Sequence, residues 1–424
     1  MSFGIDPPQI CTPLPGPRSV AAVDVLARHE CPAITARRAR RATALGTAND
    51  DPLVWDEALG ANVRDVDGNV LVDLVAGFGV ALVGHRDPEV VAAAQAQQGR
   101  LLHAMGDAMP DGTRIELLEA LARVAPGDLS VSILGLSGAD AVDAAVKTAV
   151  LATGRTGVLA FDGAYHGLSL GTVALQGYKA SFTEPFAAIA HPHVHRLPYG
   201  AEAQAVRTVL HDEDIGLILV EPILGRGGIR PAPPGWLAML ASSAHEAGAL
   251  VAFDEIQCGL GRSGEPFASM HDGVVPDLMC VGKALAGGFP LSAAIGTPEV
   301  MGHWGASGGE AIHTQTFLGH PVGCAAALAV LAQLEGDLCD RIQERGEALA
   351  AAFRGRAHRG RGLIRAVELG SDALVASRGL LQRGFLVLPA GPTSLGFTPP
   401  VTLSDAQLDA FADALDAVAP REAS

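Results

Sequence analysis

Five short runs rich in Val, Ile and Leu each end in a polar or glycine-containing turn: VSILGLSG (131–138), GVLAFDG (157–163), GLILVEP (216–222), ALVAFDEIQ (249–257) and LMCVGK (278–283). Strands that are apolar along almost their whole length must bury both faces, and a parallel sheet covered by helices on each side provides that. Amphipathic stretches suited to the covering lie between the runs, among them DAVDAAVKTAVLATG (140–154) and PPGWLAMLASSAHEAGA (233–249). The alternation predicts an α/β chain with a mainly parallel sheet flanked by helices. A chain of 424 residues exceeds what one simple core supports. The expected division is a large domain over residues 76–325 and a smaller α+β domain built from both termini, 1–75 and 326–424. A helix over PVGCAAALAVLAQLEGDLCDRIQERGEALAAAF leads into the C-terminal part.

Net charge and aromatic content bound the function. A formal charge of -16 with 4% aromatic residues argues against nucleic acid, which requires a basic face and stacking platforms. The one basic cluster, ARRAR at 36–40 extended by Arg41, reads as a solvated helix face. Six scattered cysteines form no C-x-x-C pair and no His/Cys grouping at metal-ligand spacing, so reduced thiols and no metal are expected. Without an N-terminal signal pattern or a run of 18 apolar residues, the expectation is a cytoplasmic protein with no membrane partner. The Pro-rich opening PPQICTPLPGP reads as an irregular tail.

In sheets of this kind ligands gather at the carboxyl ends of the strands, and the residues placed there are Ser137, Glu221, Asp254 and Lys283. Lys283 is one of only three lysines beside 27 arginines, so a generic cation is rarely lysine in this chain. An amine in an apolar pocket loses its proton more readily, and a neutral amine attacks a carbonyl to form a Schiff base. Asp254 at a buried strand end needs a cation or donors. Two roles are open to it: a structural ion pair with Lys283, or the partner of the ring nitrogen of pyridoxal phosphate. SGADAVDAAVK offers a phosphate cradle, with Ser137 and Asp140 at capping-box spacing, Gly138 and Ala139 leaving amides unobstructed, and Asp143 and Lys147 as an i,i+4 pair; an ordinary helix start would look the same. Tyr165 and His166 follow a strand end and could flank a ring. CGLGRSG matches a dinucleotide fingerprint at Gly259, Gly261 and Gly264, but Pro266 follows and an acidic pair precedes, so these glycines more readily shape a loop than serve a nicotinamide dehydrogenase.

Taken together these blocks resemble the class III, pyridoxal-phosphate-dependent aminotransferases of fold type I. The resemblance runs over about residues 50 to 405, through AGFGVALVGHRDPEVV, FDGAYHG, EPILGRGG, FDEIQCGLGRSG, PDLMCVGKALAGGFPLSA, TFLGHPVGCAAALAVL and GFTPPVTLS. It implies Lys283 as the Schiff-base lysine and proton shuttle, and Asp254 as the pyridinium partner. Ile256 would pack on the ring face, and Gln257 would lie near the ring hydroxyl. Gly138 and Ala139 would give amides to the phosphate, Tyr165 would stack with His166 beside it, and Glu221 would line the pocket. Thr316 would reach the phosphate from a neighbouring subunit, implying a homodimer with shared active sites. The implied reaction moves an amino group from an amino acid, ω-amino acid or amine to a 2-oxo acid. Racemase, epimerase, aminomutase or decarboxylase chemistry uses the same constellation, and a catalytically silent relative would have been free to lose Lys283.

Two departures bear on substrate. Many relatives carry glutamate where EPILGRGG has Arg226, and pair it with an arginine that here would fall near Gly396; no Lys or Arg lies between Arg383 and Arg421. Arg226 is therefore expected to bind the substrate carboxylate, the alternatives being that it points to solvent or pairs with an acid. Phe78 and Leu224 would make the pocket more apolar.

Overall fold

The computed structural model describes residues 3–33, 40, 42–43 and 53–420. Apart from Arg40 the basic cluster lies outside them. Two compact units emerge: residues 1–87, 345–358 and 365–424 form one, and 88–344 with 359–364 the other. The C-terminal break falls near 344 rather than at 325. Helix Pro321–Glu335 packs against helices Pro88–Gln98 and Gly112–Val124, which holds it in the larger unit. The long helix expected there is two, Pro321–Glu335 and Leu338–Ala352, separated at Gly336.

In the larger unit, β1 (Val131–Gly135), α1 (Gly138–Thr153), β2 (Gly157–Phe161), β3 (Val194–Leu197), β4 (Ile215–Val220), α2 (Trp236–Glu246), β5 (Leu250–Asp254), β6 (Leu278–Val281) and β7 (Ser292–Gly296) follow one another. The seven strands form one sheet in the order β1-β7-β6-β5-β4-β2-β3. Only β7 runs antiparallel to its neighbours, β6 and β1. All five strands expected from the apolar runs are present, and β3 and β7 are additional.

Strand alternation sorts the core into two layers. On β4, Ile218 and Val220 face one side and Leu217 and Leu219 the other. The first side receives Trp236, Leu237, Leu240, Ala241 and Ala244 of α2, spaced along one helical stripe. The second receives Ala141, Val142, Ala145, Val146 and Ala149 of α1, small residues that bring the helix close to the sheet. Both faces are thus dry, which accounts for the unbroken apolar runs.

The smaller unit contains the antiparallel strands Trp55–Leu59, Asn62–Asp65 and Val70–Asp73, with Phe385–Leu386 parallel to the last. Phe353, Phe385, Phe397 and Phe411 form its aromatic core. The Pro-rich opening is irregular but not a free tail. Gln9 bridges Val70, and the Asn69 side chain accepts from the amides of Cys11 and Thr12. All six cysteines are free. No single helix among the described residues is long and apolar enough to cross a membrane.

Because the α2 stripe is fully enclosed, Leu240→Ala should lower the free energy of unfolding by about 2–5 kcal/mol, the cost of lost transfer energy plus a residual cavity. A shift of the urea midpoint corresponding to less than about 1 kcal/mol would mean that the layer is more loosely packed than its burial indicates.

Candidate active site

The carboxyl ends of β1, β4, β5 and β6 bring the expected residues together within the larger unit. Ser137 lies two residues beyond β1, Glu221 directly after β4, Asp254 ends β5 and Lys283 lies two residues beyond β6. Three of these positions are acids or a base next to fully buried strand, so each must find partners locally.

Asp254 takes His166 rather than Lys283. Its Oδ2 lies 2.7 Å from His166 Nδ1, and its Oδ1 accepts the Ile256 amide at 3.1 Å. No Asp254–Lys283 contact falls within ion-pair distance, so the structural pairing open from the sequence is not the one adopted. His166 is 1% exposed, and its other ring nitrogen, Nε2, is buried without a hydrogen-bond partner. The contact with Asp254 uses Nδ1 and fixes the ring orientation, which leaves Nε2 facing the buried interior.

Lys283 projects from a backbone turn at φ +40°, a region that side chains other than glycine rarely occupy. Strain of this kind costs about 1–3 kcal/mol and persists where surrounding structure enforces it. Its Nζ donates to Gln257 Oε1 at 2.9 Å. Burial holds its pKa below that of an ordinary lysine, while the carboxylates of Glu221 and Asp254 oppose the shift and the Arg226 guanidinium adds to it. Gln257, expected near a ring hydroxyl, is thus also the acceptor that steadies the amine.

Glu221 does more than line the site. Burial raises its pKa, partly countered by the nearby His166 imidazole. Its Oε1 accepts the Tyr165 amide at 2.8 Å and its Oε2 the Gly225 amide at 2.9 Å. One side chain therefore fastens the loop after β2 to the loop after β4.

At the start of α1, the Ser137 hydroxyl accepts the Asp140 amide at 3.3 Å. The reciprocal half of the expected capping box is absent, because Asp140 Oδ2 turns back to the Leu136 amide at 2.9 Å. The first amides of a helix, here those of Gly138 and Ala139, have no acceptor within it and carry its positive end. Space is tight there: a Cβ on Gly138 would meet Ile256 Cδ1 at 2.9 Å, and one on Gly167 would meet Ala139 Cβ at 2.4 Å. Asp143 and Lys147 form the expected pair at 3.4 Å.

These groups fit pyridoxal phosphate on chemistry alone: a helix start for the phosphate, an aromatic and an aliphatic side chain for a flat ring, a fixed carboxylate for a ring nitrogen, and an amine biased toward its neutral form. A dinucleotide reading of CGLGRSG does not fit. Glu255 is buried and accepts the amides of Ala268 and Ser269, the glycines belong to the loop wrapped around it, and only a short 3-10 turn, Ala268–Asp272, follows.

Arg226 is half-buried and lies against aromatic rings. Its Cζ lies 4.3 Å from the centroid of the Tyr165 ring and 5.6 Å from that of Tyr178, and it makes no hydrogen bond or ion pair with any described residue. Sequence reasoning missed Tyr178, because nothing local in the chain links it to Arg226. Thr316 is exposed, on the loop before helix Pro321–Glu335. Phe78 belongs to the smaller unit, 60% exposed and at φ +68°.

Comparisons with known proteins agree with this chemistry. The sequence profile of the family described as aminotransferase class-III matches residues 45–419. The 5-aminovalerate aminotransferase DavT of Pseudomonas aeruginosa is 34% identical over 409 residues, covering 88% of this chain and 95% of the relative. Among solved structures, an ornithine aminotransferase from Toxoplasma gondii, described with partial occupancy of PLP at its active site, superposes with a TM-score of 0.79 at 27% identity, covering 87% of this chain and 89% of that one. The adenosylmethionine-8-amino-7-oxononanoate aminotransferase of Methanocaldococcus jannaschii shares the fold, with a TM-score of 0.80 at 24% identity over 87% and 93% of the two chains. This chain belongs to the class-III aminotransferases, transaminases that depend on pyridoxal 5'-phosphate.

Proposed function

We propose that Lys283 carries the cofactor and moves the proton in transamination, and that the donor is an ω-amino acid whose carboxylate lies at the far end from the amine. The observation that supports this most is Lys283 itself, an amine biased toward neutrality by burial, held by Gln257 and set among Glu221, Asp254 and Arg226. The ω-amino acid assignment follows the relative that acts on 5-aminovalerate.

Pyridoxal phosphate, when bound, supplies an aldehyde and an electron-withdrawing ring that take the amino group from the donor and pass it to a 2-oxo acid. The protein does the rest. Ser137, Gly138 and Ala139 would hold the phosphate, Tyr165 and Ile256 the two ring faces, and Asp254 the ring nitrogen. His166 and the Ile256 amide hold the Asp254 carboxyl group in place, where it would face the ring nitrogen. With its amine free, Lys283 Nζ would accept the proton from the substrate carbon and return it. Gln257 limits where the free amine can swing.

Arg226 is assigned to the substrate side, for the carboxylate. Thr316 is assigned to the phosphate site of a second copy, which makes the working unit a homodimer, and we place it in the cytoplasm.

Three outcomes test the assignment. With an ω-amino acid and no acceptor, the wild-type absorbance should change lastingly as the cofactor takes the amino group; a spectrum that returns to its start after every donor would indicate isomerase or decarboxylase chemistry instead. Borohydride should fix the cofactor on the peptide containing Lys283, and Lys283→Ala should lose that label and slow the half-reaction by about 10²–10⁴-fold or more. A label on Lys147 or Lys179 would contradict the assignment. For the pH dependence, the attacking amine must be neutral and the folded pKa lies below that of a free lysine. Cofactor capture by the apoprotein should therefore rise with pH and level off below the range in which ordinary lysines titrate. A rate still climbing through that range would show an amine without the shift.

A further inference from the structure

Three backbone segments meet in the larger unit, and each contributes a side chain to one arrangement. The loop after β2 carries Tyr165, the segment near 177 carries Tyr178, and the loop after β4 carries Arg226. Gly177 ties the first two together: its amide donates to the Ala164 carbonyl at 3.0 Å, and its carbonyl accepts the Gly163 amide at 2.9 Å. A Cβ on Gly177 would meet the Phe161 carbonyl oxygen at 2.2 Å, so only glycine allows that approach. Gly227 ties in the third segment, since a Cβ there would meet the Gly163 carbonyl oxygen at 2.6 Å. Glu221 closes the set through the Tyr165 and Gly225 amides.

The consequence is a guanidinium flanked by two rings. Phe182 backs both of them, 6.3 Å from Tyr178 at an interplanar angle of 21° and 6.5 Å from Tyr165 at 76°. Contact with ring faces satisfies a guanidinium's charge through its flat surface and leaves the in-plane N–H groups for a ligand. Arg226 has no carboxylate among the described residues within ion-pair distance and donates to none of their oxygens. It nevertheless lies close enough to disfavour the protonated form of Lys283, behind the larger contribution of burial. A fixed, unspent cation near the reactive amine is suited to a carboxylate, which accepts two parallel N–H groups.

We propose that Tyr178, backed by Phe182, is a positioning residue for substrate specificity: it holds Arg226 in a ring-flanked pose that selects ligands bearing a carboxylate over neutral isosteres. This rests on the substrate-side assignment of Arg226 above, but not on the assignment of Lys283. Tyr178 acts through Arg226, by restricting its rotamers before the ligand arrives, so that less freedom is lost on binding. Phenylalanine in its place would keep the ring face and therefore the effect.

The test uses two unreactive probes on the cofactor-loaded protein, valerate and its neutral amide, valeramide, with dissociation constants from NMR titration. Wild type should prefer valerate by about 10–100-fold, the range for hydrogen bonds to a charged group. Arg226→Ala should abolish the preference, Tyr178→Ala should reduce it by about three- to tenfold, and Tyr178→Phe should preserve it. Valeramide affinity should stay constant across the Tyr178 variants, which separates positioning of Arg226 from general damage to the pocket. The proposal is overturned if wild type shows no preference, if Tyr178→Ala keeps the full preference, or if it weakens both probes equally. Loss of preference in Arg226→Ala with borohydride labelling still at Lys283 supports both assignments. Retained preference in Arg226→Ala with the same labelling removes the carboxylate role alone.

Discussion

The site depends on the cost of burying a carboxylate. Glu221, Asp254 and Glu255 stand at or directly after the buried ends of two strands, each at most 4% exposed, where an unpartnered charge would be untenable. Their solutions differ, and the differences build the site. Glu255 recruits the amides of Ala268 and Ser269 and so folds the glycine loop around itself. Glu221 recruits one amide from each of two loops and brings Tyr165 to Arg226. Asp254 recruits His166, which fixes its carboxyl group where a ring nitrogen would need it. Chemistry at this end of the sheet is thus tied to the same donors that make burial affordable.

Lys283 completes the logic from the opposite sign. Its turn holds a left-handed backbone conformation and its amine lies among acids without an ion pair to them, so burial sets its protonation bias. A direct salt bridge to Asp254 would have stabilised the protonated amine and compromised both groups. The imidazole of His166 separates their duties, since it takes the aspartate and leaves the lysine to the neutral amide of Gln257.

Much of this was legible in the chain. Apolar runs marked the five strands whose side chains fill both core layers, and their polar terminal residues marked the site. The two strands that were not read have physical reasons to be quiet. β3, VHRL, is an edge strand with half-exposed histidine and arginine, while β7, SAAIG, is fully buried but built of residues too small to register as an apolar run. Partner choice was harder. Nothing local indicates that Asp254 would take a histidine 88 positions away instead of Lys283, or that Tyr178, in a segment without periodicity, would return to Arg226. Such pairings depend on glycine approaches and loop amides, whose geometry exists only once the sheet has formed.

The central claim is that the groups gathered at the ends of β1, β4, β5 and β6 form one site for one cofactor. A crystal structure of the protein loaded with pyridoxal phosphate tests it most directly. The account predicts electron density continuous with Lys283 Nζ, the ring nitrogen against Asp254, the phosphate on the Gly138 and Ala139 amides, and Arg226 still against the Tyr165 and Tyr178 rings. Cofactor density away from the α1 N-terminus, or a ring nitrogen turned from Asp254 with that carboxylate still paired to His166, would contradict it.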